Sequence, residues 1–115
     1  MGYFIRKDDT FCEFYNEKGK RVGGLYRNIT PFSDGYASVQ FDDYSWGFLD
    51  EKGKVVGGKF DLTMPFEDKM AHVVLNGKSF YVDTDFKKIS KNEVIRKKII
   101  GKMNKLNKFE IDKSI

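Results

Sequence analysis

The chain has 115 residues, with 21 basic and 17 acidic side chains, eleven Phe, six Tyr, one Trp, two prolines and one cysteine. That is one domain's length, too aromatic for a disordered chain. No apolar run approaches the ~20 residues of a membrane span, and a lone Cys12 excludes an internal disulfide. The net charge of +4 is unevenly placed: residues 87–115 hold ten basic and three acidic side chains, against eleven and fourteen in residues 1–86.

The chain opens on a short strand, Tyr3–Lys7, closed by Asp8-Asp9. No basic region followed by an apolar stretch precedes it, so no signal peptide is expected and the cytoplasm is the default location. Gly2 lacks the hydroxyl that myristoylation wants at the sixth position, which is Arg6. Next come Phe14-Tyr15-Asn16 and Lys20-Arg21-Val22 around Glu17-Lys18-Gly19, a hairpin with glycine where φ must be positive. Gly23-Gly24 breaks the second strand as a bend or bulge. After Pro31-Phe32, Tyr36–Phe41 reads as a further strand, with Ala37, Val39 and Phe41 on one face, turned by Asp42-Asp43.

The same succession then recurs thirty-four positions on. Residues 14–39 and 48–73 are identical at 13 of 26 aligned pairs, and both prolines fall at one point of the repeat. Trp46–Asp50 and Lys54–Val56 form the second hairpin, Gly57-Gly58 the second bend, and Met70–Leu75 the strand after Pro65-Phe66. Asn76-Gly77 is a strong hairpin signal. A third copy starts at Ser79-Phe80-Tyr81-Val82-Asp83 and departs at Ile89. The first strand aligns with Ala37–Phe41, so the repeat begins on the last strand of a unit. A repeat of this period is a supersecondary unit stacked on copies of itself. The expected fold is an all-β antiparallel meander of about 2.5 units and seven or eight short strands over residues 1–89, followed by a helix and tail over 90–115.

The helix begins at a capping box, Ser90-Lys91-Asn92-Glu93. Its apolar stripe, Ile95, Ile99, Met103 and Leu106, is expected to cover a face or an edge of the sheet, and the helix or a second chain is expected to cover the unpaired edge of the first strand. Gly101 predicts a kink or a frayed second half, and the chain is expected to loosen from Phe109 on.

The string Trp46–Val56 resembles the signature of the WG-repeat family, also called KWG repeats, and Pro31–Val39 is similar to its second block. The resemblance spans roughly residues 3–86. The Trp-Gly pair itself stands once, Cys12-Glu13 and Ser79-Phe80 occupying its other places. The family implies a bacterial or phage-related β-rich interaction module and no catalytic residues.

The residues offer little chemistry. His72 is the one histidine, on a strand face opposite Ala71 and Val73, with no cysteine cluster to complete a zinc site. Gly77-Lys78-Ser79 lacks the earlier glycine of a phosphate loop. No Gly-x-Ser-x-Gly elbow exists. The paired acids Asp8-Asp9 and Asp42-Asp43, together with Asp50 and Asp83, read as turn formers. Neither an enzyme nor a cofactor is expected. In-register Phe14, Phe48, Tyr26, Phe60, Phe32 and Phe66 read as repeat core, whereas the less regular Phe11, Tyr36, Tyr44 and Trp46 are candidate partner contacts. Arg96, Lys97, Lys98, Lys102 and Lys105 form a candidate basic patch. The expected role is therefore protein binding, with neutralisation of a toxin or effector suggested by size and family analogy. Nucleic-acid association through the basic helix is the alternative.

Overall fold

The computed structural model describes residues 2–113, and the side chains of residues 2–106. Ten strands precede one helix: β1 (Tyr3–Arg6), β2 (Cys12–Tyr15), β3 (Arg21–Ile29), β4 (Tyr36–Phe41), β5 (Trp46–Asp50), β6 (Val55–Phe60), β7 (Leu62–Thr63), β8 (Met70–Leu75), β9 (Lys78–Asp83), β10 (Lys88–Ile89) and α1 (Lys91–Lys113). All pairings join consecutive strands, in one sheet of six, β1 to β6, and one of four, β7 to β10. The meander expected from sequence holds, with two very short strands, β7 and β10, raising the count to ten.

One turn chemistry makes the three equivalent hairpins of the repeat, β2–β3, β5–β6 and β9–β10. Asn16 Oδ1 accepts the backbone N–H groups of Lys18 and Lys20, Asp50 Oδ1 those of Lys52 and Lys54, and Asp83 Oδ1 those of Asp85 and Lys87. Each side chain thereby satisfies donors that a tight turn leaves without a ladder partner. The residue in the left-handed region is Gly19, Gly53 and then Phe86, at φ 74, 87 and 63°. The acidic pairs are turn chemistry too. Asp8 accepts from the N–H groups of Thr10 and Phe11, and Asp43 from that of Ser45.

The glycine pairs are bulges. Opposite Glu13 and Phe14 the register of β3 jumps from Leu25 to Val22, and opposite Trp46 and Phe48 that of β6 jumps from Phe60 to Val56. An extra residue on one strand sharpens the local twist. It curls each unit so that successive units stack on one another. The split into two sheets rests on a single position. β3 runs unbroken past Arg27, whereas the equivalent Asp61 interrupts the strand between β6 and β7. The pairing beyond the break is the same in both units, Ile29 with Val39 and Thr63 with Val73.

Curling produces two cores in series. Phe14, Tyr26, Val39 and Leu49 form one; Phe48, Phe60, Phe66, Ala71, Val73 and Val82 form the next. Phe14 and Phe48, Tyr26 and Phe60, and Val39 and Val73 are repeat mates, as the in-register aromatics predict. Phe48 and Leu49 are neighbours in sequence and both fully buried. Adjacent residues of a strand point to opposite faces, so β5 is the wall shared by the two cores. A buried hydroxyl pair, Ser38 with Thr63, ties β4 to β7, and Ser38 Oγ also donates to the Thr63 carbonyl. The Pro-Phe loops stack likewise: Ser33 Oγ donates to the Phe66 carbonyl at 2.6 Å, and Asp34 accepts from the Lys69 N–H at 2.9 Å.

Helix α1 corrects three expectations. Its N-cap is present, with Ser90 Oγ accepting from the Glu93 N–H at 3.2 Å. Gly101 does not end it, since helix continues to Lys113. A Cβ at Gly101 would run into the Asp68 carboxylate, so this glycine marks where the helix backbone meets the second Pro-Phe loop. Finally, the apolar stripe does not face the sheet. The helix lies on the outer side of the four-stranded sheet through Val94, which is buried, and Lys98, whose Nζ donates to Tyr81 Oη at 3.3 Å. It therefore does not cover β1, which is hydrogen-bonded to β2 alone among the described residues. The loosening expected from Phe109 on concerns side chains outside those described.

Candidate functional site

The four aromatic candidates have different fates. Tyr36 is committed to the second core, its ring 5.1 Å from those of Phe66 and Phe86 and its hydroxyl donating to the Thr84 carbonyl at 3.2 Å. Trp46 is half-buried on β5, opposite Gln40 and Phe60. Phe11 and Tyr44 come together through Arg27, whose guanidinium lies 5.1 Å from the Phe11 ring and 4.1 Å from that of Tyr44. Arg27 Nε also donates to the Asp42 carbonyl. Such cation–π contacts contribute about 0.5–1 kcal/mol at exposed sites, and they hold the β1–β2 and β4–β5 turns side by side. Tyr44, 64 % exposed, is the part of this cluster left open.

Beside it, Asp43 accepts from Ser45 Oγ at 2.5 Å, from the Ser45 N–H, and from Lys59 Nζ at 3.1 Å. The Ser45 hydroxyl first, then its N–H, then Lys59 draw the carboxyl down from its ordinary value of 3.8 to about 2. A carboxylate depressed in the folded state stabilises above its unfolded pKa and loses that contribution as pH falls through the folded one. We expect the Asp43 contribution to be complete above 3.8 and to fade toward about 2. Acid titration of wild type against Asp43→Asn checks this: the two curves should converge over that window, and parallel curves would refute it.

The basic candidates do not form one patch. Lys98 is bound to Tyr81 and sits 5.1 Å from its ring; Lys105 lies 3.7 Å from Glu67; Arg96 lies 3.6 Å from Glu93. Lys97 is half-buried and lines a groove with Asp34, Asp68 and Lys69, while Lys102 is exposed. At about 100° per residue, these five side chains are distributed around much of the helix.

What the helix turns outward is apolar. Ile95, Ile99, Ile100, Met103 and Leu106 are between 44 % and 61 % exposed. The first of them borders a groove of about 500 Å³ that includes Phe80 and Ile89, with Lys88 and Lys91 also on its lining. The sequence marks this stripe but not its direction. The one pointer was Gly101, a helix glycine on the side opposite Ile99 and so a sign of close backbone approach there. His72 lies beneath the helix, its ring 5.0 Å from that of Tyr81. Among the described residues no three His, Cys, Asp or Glu side chains are placed to hold a metal, and no helix is long and apolar enough to cross a membrane.

Two stretches, residues 23–44 and 46–78, match the family model described as WG containing repeat. Over these two stretches the repeat is similar to the WG repeat. The matched stretches take in most of β3, then β4 to β8. No curated protein and no solved structure matches the chain. In the Trp-Gly pair of the WG repeat, Gly47 is the tightly enclosed member: a Cβ there would meet the Phe41 ring at 2.8 Å and the Gly58 carbonyl at 3.2 Å.

Proposed function

We propose that this WG-repeat-like chain is a non-catalytic protein-binding module that contacts its partner through the outer face of α1. The carrying observation is the apolar stripe left open on a helix already docked by its other side. Exposed apolar side chains scattered singly need no explanation, but a contiguous set on one rigid element marks an interaction surface. Here Ile95, Ile99, Met103 and Leu106 lie within about 40° of Ile99 around the helix axis. Tyr44, with Phe11 and Arg27 behind it, is a second point of contact at the other end of the repeat. Cys12 is buried and free, which suits a reducing compartment such as the cytoplasm. Neutralising a toxin or effector, as an immunity-type bacterial or phage protein, is the use we favour.

Nucleic-acid association is the second reading, favoured by the exposed Arg96 and Lys102. The pairing of Lys98 with Tyr81 and of Lys105 with Glu67 weakens it. Nuclease-treated affinity capture of the tagged chain, with Ile99→Ser in parallel, separates the two. We expect a stoichiometric protein that survives moderate salt and is reduced at least about tenfold by the substitution. Recovery of nuclease-sensitive material alone, lost steeply with salt, would replace this proposal by the second reading.

A further inference from the structure

We infer that the outer face of α1 seats an acidic amphipathic helix of the partner, with apolar residues on Ile95, Ile99, Met103 and Leu106 and carboxylates on Arg96 and Lys102; the inference rests on the protein-binding reading above. The spacing of the four apolar residues, i, i+4, i+8 and i+11, follows one side of a helix for three turns. At a rise of 1.5 Å per residue that is a ridge about 17 Å long, the scale on which helices are recognised side by side.

Charge selects the occupant. Arg96, which shares its charge with Glu93 at 3.6 Å, lies about 60° to one side of Ile99 and Lys102 about 60° to the other, and both are exposed. A partner helix flanked by glutamates or aspartates would meet opposite charge along both borders, which favours its encounter and register. A second copy of this chain would instead set Arg96 and Lys102 against themselves, a like-charge juxtaposition that opposes pairing. An anionic membrane would attract the helix but repel residues 1–86, whose charged side chains number eleven basic against fourteen acidic. The described stripe also lacks the aromatic side chains typical of interfacial helices. The apolar groove at Phe80 and Ile89 continues the ridge beyond Ile95 and gives the partner helix a place for one more side chain.

The test uses the full chain and two labelled three-heptad peptides, with leucine at a and d and either glutamate or lysine at e and g, read by fluorescence anisotropy. We expect the glutamate peptide to bind at least about tenfold more tightly than the lysine peptide. Arg96→Glu with Lys102→Glu should invert that preference, and Ile99→Ser with Met103→Ser should abolish binding, while circular dichroism melts stay two-state. Equal binding of both peptides overturns the inference. So does tighter binding to phosphatidylglycerol vesicles or duplex DNA, or a dimer in sedimentation that Ile99→Ser dissolves. Failure of the peptides while cellular capture still depends on Ile99 sinks the acidic-helix inference alone. Capture indifferent to Ile99 sinks the protein-binding reading as well.

Discussion

Phe48→Ala should remove about 3–5 kcal/mol of stability, the range for deleting a buried phenylalanine ring. Phe48 is fully buried, with the rings of Phe66, Phe86 and Phe60 at 5.0, 5.7 and 6.2 Å. No small shift of one strand can fill the space, because β5 is held by β4 on one side and β6 on the other. A domain of this size has roughly 6–17 kcal/mol in total, so the variant should lose roughly a fifth of its stability or more. Because β5 contributes Phe48 to one core and Leu49 to the other, the loss should appear as a lower midpoint of a single urea transition. A change below about 1 kcal/mol would show that the Phe48 ring is not held by its packing, and a second transition would show that the two cores unfold independently.

The second large effect is an inversion. Phe86→Ala should be more destabilising than Phe86→Gly, by about 1 kcal/mol, against the usual order of alanine and glycine. Phe86 stands where Gly19 and Gly53 stand in the earlier hairpins and keeps their left-handed backbone, φ 63°. That conformation costs a residue with a Cβ roughly 1–2 kcal/mol. The ring offsets it by packing on Tyr36, Phe48 and Phe66 at 5.1, 5.7 and 5.9 Å. Alanine keeps the strain and loses the ring; glycine loses both. The packing is reciprocal with Gly57, where a Cβ would come within 2.5 Å of the Phe86 ring. Gly57→Ala should therefore cost more in wild type than in Phe86→Gly, with a coupling of about 1 kcal/mol or more, measurable by a double-mutant cycle. Strict additivity would mean the ring moves aside at no cost.

These residues also show how far sequence reasoning reaches. Phe86 is visible as the one departure from glycine at its place in the repeat, but nothing local says that its ring turns into the core. Likewise Tyr36 is irregular in sequence, pairing with Met70 of the next unit, and irregularity suggested a contact residue. It is irregular because the second core holds one more ring, Phe86, than the first, and Tyr36 packs against it. Tyr44 is outward and Phe11 half-buried, yet the Arg27 that joins them carries no signal in sequence, being the position where the next unit has Asp61.

By itself the sequence determined the repeat, the three hairpins, the bulges, the turn acids and the in-register core. All of these depend on residues within a few positions of each other, or on a period that copies them. Positive φ, side-chain acceptors in turns and two-residue alternation act locally, so the pattern is enough. Only tertiary structure decided the direction of α1 and hence the candidate site. An apolar stripe is ordinarily the buried face, because burial of apolar area stabilises. Here the available surface is the outer side of β8 and β9, where His72 and Tyr81 stand, and it takes Val94 and the Lys98 ammonium while Gly101 admits the Asp68 loop. Which of two helix faces fits such a surface depends on shape and charge brought together from elements far apart in the chain, and no periodicity within the helix records it.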